Sequence, residues 1–401
     1  MADANKLERR NVALLTGAQA LFQTASIMLV TLSGLIGLKL APDKSMATLP
    51  VAAMVVSAAL TMIPASMLMQ RRGRRQGFLV GTALGCCAGL IGLAAIVSHS
   101  FALFVLANMC VGAYQGFAQY YRFAASEAVR DAFKSRAISW VMTGGVLAAI
   151  AGPALARYTR DAGSAPFEAS FVAMALLAVL AGLLLTGLRL PKVAAQHAEG
   201  PARRLSEIMR QPLFYTSLTG SAVAFGVMIM VMTATPLAMQ GCGMALGASA
   251  SVIQAHVLGM FVPSFFTGAL IKRFGVLAVM GAGVLLLAAH VAVALSGIDF
   301  YNFFSGLILL GVGWNFLFIG STTLVTQAYR PSERAKTQGT HDFLMFGAAS
   351  VASFSAGSLL NTWGWRAVNL SALPFLALAG IAVLAQAWRT RPAALANGAR
   401  A

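Results

Sequence analysis

Acid is what this sequence has least of. Its 401 residues include 12 Asp and Glu against 29 Lys and Arg, and charged residues of both signs make up only 10%. A water-soluble domain carries about 25% charged residues, so a large solvated surface is excluded. Cysteine is scarce as well. The four (Cys86, Cys87, Cys110, Cys242) are too few and too scattered for a disulfide framework. Three fall in apolar stretches, where cysteine serves as a small packing residue. Cys242 falls in a loop, where its thiol is open to a soft metal. No glycine-rich phosphate loop and no nucleophile–base pair occurs, so neither an enzyme nor a bound cofactor is expected.

Apolar residues fill the space that charge leaves. They make up 58% of the chain. Roughly 20 apolar residues at about 1.5 Å each cross a hydrocarbon core of about 30 Å. Twelve stretches meet that length, from 13–38 at the start to 367–388 at the end. The expected fold class is therefore all-α membrane protein with twelve transmembrane helices. The run after the charged N-terminus is too long for a signal peptide and reads as the first span.

The net charge of +17 suggests nucleic acid until its placement is examined. With the spans alternating, 23 of the basic residues fall on one side and five on the other, and Arg122 stays inside a span. Such asymmetry places both termini in the cytoplasm. Nucleic acid is excluded as a partner. The lipid bilayer is the expected one, around a monomer.

The chain is also duplicated. Arg130-x-x-x-Lys134-x-Arg136 recurs two hundred residues later as Arg330-x-x-x-Arg334-x-Lys336. The loop Leu68 to Arg75 is echoed by Leu270 to Gly275. The expected organisation is a six-helix half over 1–188, a basic cytoplasmic linker over 189–211 and a second half over 212–401. Two pseudo-symmetric halves joined in this way suit alternating access, with cargo bound at mid-membrane.

Two residue pairs carry donor chemistry. Met228-x-x-x-Met232 lies in span seven (213–238) and His256-x-x-x-Met260 in span eight (247–271). A spacing of four puts each pair on one helical face. Thioether and imidazole are donors that Cu(I) prefers. Met residues are abundant in this chain, 19 in all, and also serve as ordinary packing. Pro263 cannot continue the backbone ladder beside Met260, and such a break is tolerated where it lines a cavity.

Other polar groups at membrane depth need partners. Tyr121, Arg122, Gln254 and Asn315 are candidates for cargo binding. Arg122 serves either an anionic cargo group or an acid near the cytoplasmic end. Glu127 and Asp342 sit at cytoplasmic helix ends near basic loops, and with Arg71 and Arg72 they are candidate gating residues. His341 reads as a helix-end residue.

The whole chain resembles the major facilitator superfamily. The segment Ser66 to Arg75 matches that family's Gly-x-x-x-Asp-Arg-x-Gly-Arg-Arg signature, with Ser66 at the first glycine and Gln70 at the acid. The local charge relay is thereby altered and the fold is not. Gly152-Pro153 is a fragment of the motif of drug–proton antiporters. Within the superfamily, Met228 to Gly268 resembles the CcoA-like bacterial copper importers. That resemblance implies an inner-membrane carrier with Met228, Met232, His256 and Met260 as copper ligands, copper being cargo. Relatives that carry riboflavin share the segment, so a small organic cargo such as riboflavin or a drug-like molecule is the alternative. A membrane sensor that binds ligand without transporting it is a third reading.

Overall fold

The computed structural model describes residues 2–43, 46, 49–190 and 202–398. The middle of the predicted linker, 191–201, and the terminal residues Met1 and Ala401 lie outside them. The elements begin with α1 (Ala2–Leu40), α2 (Leu49–Arg72), α3 (Arg74–Val97), α4 (Phe101–Ala118), α5 (Tyr121–Glu127), α6 (Lys134–Thr159) and α7 (Glu168–Thr186). There follow α8 (Leu205–Met209), α9 (Pro212–Gly241), α10 (Leu246–Phe261), α11 (Ser264–Phe274) and α12 (Val276–Ser296). The last are α13 (Phe300–Val325), α14 (Arg334–Leu370) and α15 (Leu373–Gly398).

Helix is what a lipid-facing chain must form, because each backbone N–H and C=O needs a partner within its own segment. Among the described residues, eleven helical stretches are long and apolar enough to cross a membrane. The last of these, Pro331–Thr390, has 60 residues. At about 1.5 Å per residue it is some three hydrocarbon cores long, too much for one pass. It is two spans. Gly364 breaks the helix with φ +77, and a second helix starts at Leu373. The twelve expected spans are present. The fourth is α4 with α5, and the eighth is α10 with α11.

The surface inverts that of a soluble protein. Leu147 is 64% exposed, Leu285 72% and Phe354 66%, whereas Arg122 and Asp342 are buried. Apolar residues cost nothing against acyl chains, so polar residues are the ones driven inward.

The chain divides into two compact units. The first is Met1–His197 with Arg334–Phe346, and the second is Ala198–Glu333 with Gly347–Ala401. α14 thus begins in the first unit and continues in the second. In the first unit α1 packs on α6 and α7, α2 on α4, and α3 on α4 and α7. In the second, α13 is the central pole and touches α9, α10 and α12, while α15 closes against α9 and α12. The linker segment that is described forms the short α8 and reaches back to the second unit. The Arg203 side chain donates to Glu333 at 2.6 and 2.9 Å and to the Ala328 carbonyl at 3.1 Å. Glu333 is fully buried, so this pairing offsets the desolvation of its carboxylate.

Candidate functional site

Charged residues converge in the first unit, where α3, α5 and the start of α14 meet. The turn at Gln119 and Tyr120 ends α4 and starts α5, and it turns Arg122 inward. Its guanidinium donates to both carboxylate oxygens of Asp342, at 2.8 and 2.7 Å. Gln119 accepts a further hydrogen bond from Arg122, and the Phe123 ring lies 4.6 Å from the guanidinium carbon. His341 Nδ1 is 2.9 Å from the same carboxylate. Both members of the Arg122–Asp342 pair are buried. Two charges out of water are tolerated when they are paired and hydrogen-bonded, and removing either leaves the other uncompensated, at a cost of about 3–5 kcal/mol. Of the two roles open to Arg122, pairing with an acid is the one found.

One turn further along α5, Glu127 accepts from Arg74 at 2.7 and 3.2 Å and from Arg334 at 3.0 Å. Arg74 also donates to Gln338 at 2.6 Å and lies over the Tyr120 ring at 5.3 Å. The Tyr120 hydroxyl donates to the Met62 carbonyl at 2.8 Å. Ser66, which stands at the signature's glycine position, donates to the Ala335 carbonyl at 2.8 Å.

The partner of the acids differs from expectation. Arg71 and Arg72 are exposed at the end of α2. Gly73 (φ +91) turns the corner in a conformation that L side chains rarely adopt, and Arg74 enters α3 buried. The inward basic residue is therefore Arg74. Tyr121 is buried, edge-on to Phe78 at 4.7 Å.

The second unit holds the imidazole and thioether groups. His256 is fully buried, with Nδ1 2.9 Å from the carbonyl oxygen of Leu307 on α13. From α12, His290 Nδ1 is 2.8 Å from the neighbouring carbonyl, that of Gly306. Two helices thus attach to consecutive residues of one central helix through histidine. His290 was missed at the sequence level, although a lone histidine in the apolar run 276–296 was the available signal. Met228 and Met260 are buried, Met232 is half-buried and Gln254 is exposed. Cys242 is an exposed free thiol. Among the described residues no group of three or more His, Cys, Asp or Glu is placed to hold a metal.

Pro263, which has no N–H for the Gly259 carbonyl, breaks span eight between α10 and α11, and Asn315 binds beside the break. Its amide nitrogen donates to the Met260 carbonyl and to Ser264 Oγ, both at 2.6 Å. Its oxygen accepts from Thr267 Oγ1 at 2.6 Å. The hydrogen-bonding capacity of Asn315 is thus directed into its neighbouring helix. Beside it, Trp314 stacks on Phe318 at 4.8 Å and meets Phe225 edge-on at 5.3 Å.

The sequence profile of the Major Facilitator Superfamily matches residues 14–263 and 245–401. The riboflavin transporter RfnT of Brucella anthropi is 45% identical over 383 residues, covering 94% of this chain and 96% of that one. The uncharacterised MFS-type transporter YdeG of Bacillus subtilis is 29% identical, covering 85% and 83%. Among solved structures, the transporter FucP in its outward conformation superposes with a TM-score of 0.74 at 16% identity, covering 93% and 97%. Relatives along the full length, twelve spans and buried charge inside apolar helices lead to one conclusion: the chain belongs to the Major Facilitator Superfamily, as a multi-pass membrane transporter and not an enzyme.

Proposed function

We propose that this chain is a secondary carrier that takes a small organic molecule of the riboflavin kind into a bacterial cell by alternating access. The observation that carries the reading is the 45% identity to a riboflavin transporter along nearly the whole of both chains. That relative favours the organic cargo over copper. In this reading both termini are cytoplasmic, the carrier works as a monomer, and the six-helix halves 1–188 and 212–401 rock about a mid-membrane cargo site. The Arg122–Asp342 and Glu127–Arg74–Arg334 pairs hold one state of the cycle and part in another.

The test is uptake. A riboflavin-requiring strain without its own uptake system should grow on low riboflavin once it expresses this chain, and it should accumulate labelled riboflavin. Met260→Leu keeps side-chain volume and removes only the sulfur, so riboflavin uptake should persist in that variant. Absence of riboflavin uptake, together with copper accumulation that Met260→Leu abolishes, would overturn the reading in favour of copper.

A further inference from the structure

The first copy of the duplicated motif, Arg130-x-x-x-Lys134-x-Arg136, lies beside the first turns of α1. Both α1 and α6 run inward from the same side of the membrane, and they touch closely where α6 carries Gly144. A Cβ there would lie 2.6 Å from the Thr16 carbonyl oxygen. Toward their starts the two helices leave a groove of about 680 Å³.

The lining of this groove is graded. Arg9, Arg130 and Arg136 line its outer end, and Val12, Ala137 and Trp140 its deeper part. Deeper still, Thr16 donates to the Val12 carbonyl at 2.9 Å, with the Trp140 carbonyl 3.3 Å away, and Thr143 donates to the Trp140 carbonyl at 2.7 Å, so neither presents a free hydroxyl proton. From Arg9 to Thr16 is about two helical turns, on the order of 10 Å. That is the passage from headgroup to hydrocarbon in one leaflet. Trp140 is 49% exposed, at the level where indole favours the membrane interface.

Charge at the outer end is unbalanced. Three arginines face one carboxylate, Glu8, which pairs with Arg130 at 3.4 Å. The guanidiniums of Arg130 and Arg136 both lie over the Phe133 ring, at 5.4 and 5.9 Å from its centre. Phe133 is also the N-cap of α6 and offers no side-chain acceptor to the helix start. Converging cations, a positive helix end and an apolar trough below them are complementary to a phosphate bearing an acyl chain.

We propose that this groove binds an anionic phospholipid of the surrounding leaflet, with its phosphate among Arg9, Arg130 and Arg136 and its chain along Val12, Ala137 and Trp140. The assignment stands whatever the cargo.

Native mass spectrometry of the full-length protein, with phosphatidylglycerol or phosphatidylcholine added at equal concentration, tests it. Wild type should retain phosphatidylglycerol in preference. Arg136→Gln and Arg9→Gln should each lower the phosphatidylglycerol-bound fraction roughly fivefold, the ordinary worth of one arginine against an anionic surface. Arg9 is exposed, so its replacement reads binding even if Arg136→Gln proves unstable. Arg75→Gln, on an exposed residue in the first turn of α3, should change nothing. Equal retention of the two lipids, an unchanged bound fraction in both groove variants, or displacement by soluble glycerol phosphate at the lipid's own concentration would each overturn the proposal.

Discussion

Residues 130–142 and 330–342 start from the same device and come to opposite uses. Each carries the duplicated basic spacing, and each passes through a single 3-10 turn, Asp131–Phe133 or Pro331–Glu333, into a long helix. The inward face of α6 is then apolar, with Ile138, Val141 and Met142 buried. The corresponding positions of α14 are Gln338, His341 and Asp342, also buried. Arg334, Gln338 and Asp342 are four apart, so they share one helical face. What makes that polar face tolerable is the rest of the first unit, to which this start of α14 belongs, where Arg74, Arg122 and Glu127 present matching charge. One backbone start thus serves as plain packing in one place and as a charged clamp in the other. Side-chain identity at three or four positions decides which.

The sharpest way to break this comparison is to write the first copy's residue into the second. Asp342→Met, which copies position 142, leaves Arg122 buried without its carboxylate. It should lower stability by about 3–5 kcal/mol, seen as a large fall in melting temperature in detergent together with loss of uptake. Adding Arg122→Met should recover most of the stability. A double variant as unstable as the sum of the singles would show that the two residues are not coupled.

The reverse exchange should do somewhat less. Ile138→Gln, which copies Gln338 into α6, buries an amide with no charged partner and removes apolar packing. A loss of about 2–4 kcal/mol is expected, and a melting temperature equal to wild type would mean that α6 also has polar groups in reach.

Matched changes in the two copies should differ in size. Arg334→Gln removes a partner of Glu127 at a site where the side chains are only 14% and 18% exposed, and it should cost about 1–2 kcal/mol. Lys134→Gln removes a pair whose carboxylate is 93% exposed, and it should cost less than about 0.5 kcal/mol. Similar melting temperatures for the two variants would dissolve the contrast. Between these two, Ser66→Ala removes one hydroxyl-to-carbonyl bond and should cost about 1 kcal/mol or less. A larger fall would assign Ser66 more than its contact with Ala335.

The spans were legible because membrane crossing depends on length and hydropathy, both local properties. So was the unusual weight of Arg122 and His256, polar groups at membrane depth, and of Glu127 and Asp342, scarce acids at helix ends beside basic loops. Their partners were less legible. Glu127 meets Arg74 and not Arg71 or Arg72, because the backbone turn at Gly73 decides which of four neighbouring arginines points inward. The pairing of Glu333 with Arg203 joins residues 130 positions apart and leaves no periodic trace. The polar stripe 334, 338, 342 was available as a four-residue repeat and indicates a buried charged face. Met228, Met232, His256 and Met260 mark a group of carriers, and they identify its cargo less well than similarity along the whole chain does.

The amide of Asn315 bears on how this protein is made. Span eight has a mean hydropathy of 1.3, the lowest among the membrane-crossing stretches of the described residues, and its backbone ladder is interrupted at Pro263. The amide that binds the broken turn, at the Met260 carbonyl and at Ser264, comes from α13, which the ribosome delivers some fifty residues later. During synthesis, the broken turn of span eight is therefore without this amide until span ten is made. Its final place in the membrane is secured when span ten arrives, so the two should mature as one unit of insertion.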